Sequence, residues 1–201
     1  KFIGIIMCMK QNNMFHIVHD FVDQGLTFDS VLKDCVNFIK KNDSEFLLLS
    51  IKEEYSPVNT DKWFDELLLE YINQYPDIIK KDKSLPQTLE ECRGNIYILS
   101  RFNTTEFGIE AHYGWQDNTS FEMNGIYIQD HYDCGNKENK IASIESAFEV
   151  SKNTSDKLVL NFTSCYFDLP FPPTYAGSAA NVINPWLDDF LADFTGDTGI
   201  V

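Results

Sequence analysis

Short apolar runs alternate along this chain with segments whose apolar residues recur at helical spacing. The strand-like runs cover residues 2–9, 14–18, 46–51, 95–99, 125–129 and 157–162. Most of them are apolar throughout, which is typical of strands buried on both faces. Strands that alternate with helices form parallel sheets with right-handed crossover connections. The pattern therefore predicts an α/β fold, either a (β/α) barrel that lacks some elements or an open doubly wound sheet.

Four helices are expected between and after these strands. Thr27 is predicted as the N-cap of the first helix, because the apolar residues that follow it mark one helical face. Segments 60–75 and 138–151 carry similar patterns. The fourth helix is predicted to begin at Asn184 and Pro185, since Asn favours the N-cap and Pro the first turn.

No glycine-rich phosphate-binding loop of the GxGxxG or GxxxxGK[ST] type occurs in the chain. Its absence counts against a nucleotide-binding open sheet and favours the barrel. Residues 101–124 lack periodicity and predict a long loop. The length of 201 residues suits one domain, so we expect residues 1–201 to fold as a single domain. Because the chain starts without Met inside an apolar run and stops at what resembles a new strand, we expect this domain to be truncated at both ends.

The net charge of −15 restricts the partners of this chain. Sequence-independent binding to nucleic acid requires a basic surface, so no nucleic-acid partner is expected. The charge also opposes electrostatic binding to anionic membranes, so any lipid contact would have to be local. No apolar run approaches the roughly 18 residues that cross a bilayer. We therefore predict no transmembrane segment, and we expect a monomer.

Five N-x-S/T sequons hint at a secreted or extracellular protein. They are centred on Asn42, Asn103, Asn118, Asn153 and Asn161. The five cysteines are widely spaced and contain no CxxC pair or Cys/His spacing typical of a metal site. A structural zinc is therefore not expected.

Titratable or cationic residues follow four of the predicted strands. These residues are His19, Lys52, Arg101, Asp130 and Tyr132. In a parallel barrel the active site lies at the carboxyl ends of the strands, so we expect these side chains to gather there. Cations suit a phosphate, a carboxylate suits hydroxyl groups and an aromatic ring suits the face of a sugar-like ring. The set therefore predicts an anionic ligand that is rich in hydroxyl groups.

Six sequence motifs resemble, in order, the X-type catalytic domain of phosphatidylinositol-specific phospholipase C in its bacterial form. They are FHIVHDFVDQGLTFDSVLKDCVNFIKKNDSEFLLLSIKEEY, RGNIYILSRF, YGWQDN, YIQDHY, LVLNFTS and NVINPWLDDFL. Together they cover most of residues 14–191. The resemblance implies a distorted TIM-type (β/α) barrel, acting on phosphatidylinositol or its glycosylated forms at a membrane surface.

The same resemblance implies a mechanism and a role for each site residue. In the family, the inositol 2-hydroxyl attacks phosphorus, diacylglycerol leaves and a cyclic inositol phosphate remains, with two histidines as general base and general acid. His19 resembles the general acid, and an imidazole with a pKa near 6.5 exchanges protons readily near neutrality. Lys52, Arg101, Asp130 and Tyr132 match the inositol-binding residues, with Tyr132 stacking on the ring. We predict no cofactor and no metal, with Glu54 supporting Lys52.

The chain departs from the family pattern near its start. The family's general-base histidine lies upstream of the matching segment, and its R-F-x-D-x-R strand corresponds here to KFIGII. Gly4 therefore stands at the position of the Asp, and Ile6 at the position of the Arg. Loss of a cation directed at the phosphorane typically costs roughly 10²–10³ in rate. The alternative hypothesis is a degenerate module that binds inositol lipids without turnover.

Two further alternatives remain open. A glycosidase-like barrel would use paired carboxylates such as Glu54 and Asp130. Lys52 and Arg101 could also be ordinary surface cations paired with neighbouring glutamates. Among the other candidates, Trp115 is expected to pack within its loop, and His16 and His112 are expected to be structural. His131 alternates to the other face from its neighbours and is left out of the site.

Overall fold

The computed structural model describes residues 2–19, 22–54, 56–104, 106–167 and 176–201. The chain divides into two compact units, residues 1–115 and residues 116–201. Each unit contains its own sheet. Within the described residues, none of the helices combines the length and the apolar character needed to cross a membrane.

Six strands form the sheet of the first unit. They are β1 (Phe2–Gln11), β2 (Met14–His19), β3 (Val22–Thr27), β4 (Leu47–Glu53), β5 (Ile96–Arg101) and β6 (Ile109–Glu110). Their order across the sheet is β3-β2-β1-β4-β5-β6. β1, β4, β5 and β6 pair in parallel, as the alternation of strands and helices predicts. The sequence pattern did not indicate β3, whose residues are exposed, or the two-residue β6.

The prediction that all strands are parallel is wrong for β2, which pairs antiparallel with β1 and with β3. The link between β1 and β2 consists of Asn12 and Asn13, both with positive φ (53° and 58°). Positive φ at both central positions matches the twist of a two-residue hairpin, and Asn tolerates this conformation. A connection this short leaves no room for a crossover helix.

Three helices accompany this sheet: α1 (Phe28–Lys41), α2 (Phe64–Ile72) and α3 (Leu89–Cys92). The N-cap prediction for α1 is confirmed, because Thr27 Oγ1 accepts a hydrogen bond from Ser30 N at 3.3 Å. The apolar faces of α1 and α2 share one buried cluster with Leu47, Leu49 and Ile51 of β4. Since side chains alternate along a strand, Ser50 and Lys52 lie on the opposite face of β4.

The second unit contains a three-stranded sheet and two long helices. Its elements are β7 (Ser120–Met123), β8 (Ile126–Gln129), α4 (Lys137–Asn153), β9 (Leu158–Asn161) and α5 (Ala176–Asp193). β8 lies in the centre, antiparallel to β7 and parallel to β9. The prediction of a continuous loop over residues 101–124 is wrong, because that segment contains β6 and β7. The single buried apolar residue of β7, Phe121, is too weak a periodic signal to indicate a strand.

The predicted start of the last helix at Asn184 and Pro185 is also wrong. α5 begins at Ala176, and Pro185 lies inside the helix. A proline in a helix interior removes one backbone hydrogen bond, which normally disfavours this position. Packing upstream of it offsets that cost, since Ala179 and Ile183 are buried against α4 residues such as Phe148.

Candidate active site

Lys52 and Arg101 lie opposite each other at the carboxyl ends of two neighbouring parallel strands. The register of β4 and β5 pairs Leu47 with Ile96 and continues to the pair Lys52 and Arg101. Paired residues in a sheet project from the same face, and Lys52 projects from the face away from α1 and α2. The structure therefore brings two of the predicted site residues together as adjacent cations.

Glu54 accompanies Lys52 two residues further along the chain. Its Oε2 atom lies 2.8 Å from Lys52 Nζ, and the Glu54 side chain is largely buried, with 13% exposed. The pair is within ion-pair distance, but Oε2 has no hydrogen bond of good geometry within the described residues. The proximity predicted for Glu54 and Lys52 is thus observed.

Trp115 contacts Arg101, one of the two cations. The Arg101 guanidinium carbon lies 3.8 Å from the centroid of the Trp115 ring, a cation–π geometry. Trp115 was expected to pack within its loop, and its ring instead contacts a predicted site residue. The YGWQDN motif contains this tryptophan, so the motif carried a signal that the periodicity of the loop did not.

His19 ends β2, at a similar level of the same sheet. Ile17, two residues earlier, pairs with Cys8 of β1, and Cys8 pairs with Glu53 of β4. With one strand between β2 and β4, the backbones at His19 and Lys52 are on the order of 10 Å apart. His19 is exposed and pairs with Val22 of β3. His19 and the two cations therefore lie near the same end of the sheet, on strands separated by β1.

The other histidines of the first unit have local partners. His16 Nδ1 lies 3.3 Å from Asp23 Oδ2, across the pairing of β2 and β3. The exposed His112 ring contacts the Tyr113 ring edge-on, at 4.7 Å between centroids. These contacts agree with the structural role expected for both residues.

Asp130 and Tyr132 follow β8 in the second unit, and hydrogen bonds to their backbone fix this segment. Asp130 N donates to Thr119 O at 3.1 Å. Asn118 Oδ1 accepts from Tyr132 N at 3.0 Å and from Asp133 N at 2.9 Å, and Asn118 Nδ2 donates to Asp133 O at 3.1 Å. The Asn118 side chain thus fixes the backbone at Tyr132 and Asp133.

Asp117 orients the ring of Tyr132. The Tyr132 hydroxyl donates to Asp117 Oδ1 at 2.7 Å. This hydrogen bond, followed by desolvation and the nearby negative charge, raises the pKa of Tyr132 to about 12. The phenol is therefore neutral at physiological pH and has a fixed direction. Asp117 and Asn118 were not predicted as site residues, although both belong to the quoted YGWQDN motif.

The positions of Gly4 and Ile6 in β1 are defined by backbone pairing only. Gly4 pairs with Leu49 and Ile6 with Ile51, so both lie just before the level of Lys52. The prediction that Gly4 and Ile6 replace the Asp and Arg of the family concerns side chains that lie outside the described part of the structure. Among the side chains that the structure describes, no group of three or more His, Cys, Asp or Glu is arranged to hold a metal ion.

The chain is similar in sequence to a bacterial phosphodiesterase. No family model matches the chain. It is 25% identical over 208 aligned residues to the 1-phosphatidylinositol phosphodiesterase of Listeria monocytogenes, a match that covers 96% of this chain. The chain spans 61% of the length of that relative.

Solved structures of bacterial phosphatidylinositol-specific phospholipase C share the fold. A variant of the Staphylococcus aureus protein matches with a TM-score of 0.82 at 23% identity, over 98% of this chain and 71% of that one. The Listeria monocytogenes protein matches with a TM-score of 0.71 at 23% identity, over the same shares of the two chains. The predicted resemblance is therefore confirmed, and the chain has the α/β fold of bacterial phosphatidylinositol-specific phospholipase C, of the distorted TIM-barrel type.

Proposed function

We propose that the chain is the catalytic domain of a metal-independent phospholipase C, which cleaves phosphatidylinositol or its glycosylated forms to diacylglycerol and an inositol phosphate. The observation that carries the proposal is the pairing of Lys52 and Arg101 at the carboxyl ends of β4 and β5. Two adjacent cations on one sheet face suit an anionic headgroup. The similarity to bacterial phospholipases C supports the same substrate class.

In the proposed reaction, the inositol 2-hydroxyl gives its proton to a general base, the role that the family resemblance assigns to a second histidine, and its oxygen forms a bond to phosphorus while the bond from phosphorus to the diacylglycerol oxygen breaks. His19 in its protonated form donates a proton to the leaving oxygen, so that neutral diacylglycerol departs and a cyclic inositol phosphate remains. His19 is exposed at the end of β2, a position compatible with this role. General acid catalysis by a positioned imidazole contributes about 10²–10⁴ in rate.

The remaining residues are proposed to bind the headgroup. Lys52 and Arg101 attract its negative charge, with Glu54 and Trp115 limiting their freedom. The Asp130 carboxylate accepts hydrogen bonds from inositol hydroxyls, and the oriented ring of Tyr132 stacks on the inositol ring. Since these 201 residues carry a net charge of −15, the local cations must overcome a repulsive field at an anionic membrane.

A secreted, monomeric enzyme is the proposed form of the protein. Two of the five sequons give less support to secretion, because their asparagine side chains are engaged in hydrogen bonds within the fold. The buried Asn161 donates from Nδ2 to Ile144 O at 3.1 Å, and the Asn118 side chain holds the Tyr132 segment. Asn42, Asn103 and Asn153 are exposed, and they carry the remaining support. Fractionation of the source cells would test the location, and sedimentation would test the monomer.

The decisive experiment measures release of water-soluble inositol phosphate from phosphatidylinositol vesicles in the presence of excess chelator. His19→Ala should reduce the rate by about 10²–10⁴. His112→Ala is the matched control, since His112 is also an exposed histidine of the first unit, and its rate should stay within about twofold. Equal rates for both variants would contradict the role of His19.

Other outcomes would select the alternatives. Absence of turnover together with saturable inositol binding, weakened in Lys52→Ala or Arg101→Ala, would identify a degenerate binding module in which Gly4 and Ile6 are decisive. Hydrolysis of a glycoside that is insensitive to His19→Ala would point to a glycosidase that uses Glu54 and Asp130.

A further inference from the structure

Lys140 is a lysine in the core of the second unit. It lies on α4, and none of its side-chain surface is exposed. Fully buried lysines are rare, because an ammonium loses its hydration when it is buried. Lys140 Nζ donates to His131 O at 2.5 Å and to Gln129 Oε1 at 3.3 Å. Within the described residues no carboxylate lies at ion-pair distance from Lys140, and both of its hydrogen bonds go to neutral oxygens.

The two acceptors of Lys140 flank Asp130 in the sequence. His131 contributes its carbonyl oxygen to Lys140, and its own N–H donates to Gln129 Oε1 at 2.8 Å. Gln129 Oε1 therefore accepts two hydrogen bonds, one from His131 N and one from Lys140 Nζ. Both backbone polar groups of His131, the residue after Asp130, are therefore held, the carbonyl by Lys140 and the N–H by the Gln129 amide.

The amide of Gln129 is itself anchored on its other side. Its Nε2 donates to Asn161 Oδ1 at 2.8 Å and to Phe162 O at 2.9 Å. Asn161 Nδ2 donates to Ile144 O at 3.1 Å, one helical turn beyond Lys140 on α4. A closed buried network thus joins α4, the end of β8 and the end of β9. Buried networks of this kind, when fully satisfied, fix a single arrangement.

The charges around Lys140 agree with this arrangement. Burial is the largest influence and lowers the pKa of Lys140, while attraction to Cys134, Cys165 and Asp130 raises it. Burial and the charge of Lys140 both lower the pKa of His131. The negative charge of Asp130 acts in the opposite direction and raises the pKa of both Lys140 and His131.

We propose that Lys140 is a positioning residue, whose buried ammonium holds the His131 carbonyl and the Gln129 amide and thereby fixes Asp130 for binding to ligand hydroxyls. This inference rests on the proposed function for the role of Asp130. It adds that Lys140, near the start of α4, determines how tightly the ligand is held. Lys140 itself does not touch the ligand.

The first test compares Lys140→Met with Lys137→Met, an exposed lysine of the same helix. Titration calorimetry measures the affinity of each folded variant for myo-inositol, and urea unfolding measures its stability. We expect Lys140→Met to weaken the affinity by about tenfold or more, and Lys137→Met by less than about twofold. Lower stability of Lys140→Met with unchanged affinity would overturn the proposal, because that result indicates a purely structural role.

A second variant covers the case in which Lys140→Met does not fold. Lys140→Gln keeps an N–H donor but removes the buried charge, and its affinity for myo-inositol should fall between those of the wild type and Lys140→Met. Affinity equal to wild type in folded Lys140→Gln would overturn the proposal. Amide hydrogen exchange of the ligand-free protein separates this inference from the proposed function. If the wild type binds no inositol, the proposed function fails, yet Lys140→Gln should still reduce protection of the His131 amide more than that of Phe121 in β7.

Discussion

The end of the β4–β5 pair and the segment after β8 position their polar side chains by different means. Strand register brings Lys52 and Arg101 together, and the largely buried Glu54 and the half-buried Trp115 contact them. In the second unit, buried and half-buried groups bind the backbone of residues 129–133 through hydrogen bonds. In the first region, strand pairing fixes the backbone positions from which Lys52 and Arg101 project. In the second region, hydrogen bonds from side chains fix the path of the backbone.

This difference predicts how each region responds to substitution. Contacts between exposed charges contribute little to stability, because water competes for them. A buried hydrogen-bonded group that loses its partner imposes the full penalty of desolvation. Substitution of the half-buried Arg101 should therefore change binding and change stability little, whereas substitutions in the buried network should change both.

The largest effect is expected for Gln129→Leu. The leucine leaves Lys140 Nζ, His131 N and Asn161 Oδ1 with fewer partners in a buried setting. We expect the free energy of unfolding to fall by about 3–5 kcal/mol, measured by urea denaturation. Gln74→Leu, at an exposed glutamine, should change it by about 0.5 kcal/mol or less. A similar small change for both variants would remove the distinction between the two regions.

The sequence predicts the first region better than the second. Lys52 and Arg101 each follow a short apolar run, and parallel pairing of such runs brings their ends to one edge of the sheet. Thr27 was recognisable as a cap from its own side chain and the three residues that follow. These features depend on local sequence or on one simple pairing rule.

Features that depend on partners distant in the sequence could not be predicted from it. Lys140 lies in a helical segment with many polar residues, where a lysine normally faces water. Its burial depends on oxygens supplied by β8, and their geometry depends in turn on Asn161 of β9. Pro185 likewise suggested a helix start, although packing of Ile183 keeps it inside α5. Only the hairpin at Asn12 and Asn13 was recognisable in principle, from two turn-forming residues between two strands.

Arg101→Met tests the region of the cation pair. Loss of a charged hydrogen-bonding group should weaken the affinity for inositol 1-phosphate by about 10- to 100-fold. The free energy of unfolding should change by about 1 kcal/mol or less, because Arg101 is not part of the buried core. Arg93→Met provides the matched control, since Arg93 pairs with Glu90 at an exposed site and should leave the affinity unchanged. A large loss of stability in Arg101→Met would show that this region is held like the second one.

Asp117→Asn tests how Tyr132 is held. The hydrogen bond to Asp117 is the main reason why the pKa of Tyr132 is raised from 10.0 to about 12, so the variant should bring this pKa back towards 10. The difference in phenolate absorbance between each protein and its Tyr132→Phe derivative measures the titration. Because the folded-state pKa is raised, the interaction stabilises the fold fully below pH 10 and is lost as the pH rises to about 12. Asp156→Asn, an exposed carboxylate of the same unit, should leave the Tyr132 titration unchanged.

Trp115→Leu should have the smallest effect. Its ring contributes a cation–π contact to Arg101, worth about 0.5–1 kcal/mol at a site that water can reach. We therefore expect the affinity for inositol 1-phosphate to fall by less than about fivefold, while Trp63→Leu, at a tryptophan that is 74% exposed, leaves it unchanged. A loss as large as that of Arg101→Met would mean that Trp115 fixes the guanidinium as firmly as Asn118 fixes the backbone at Tyr132. The two regions would then differ in which part of the residue is held, and not in how tightly.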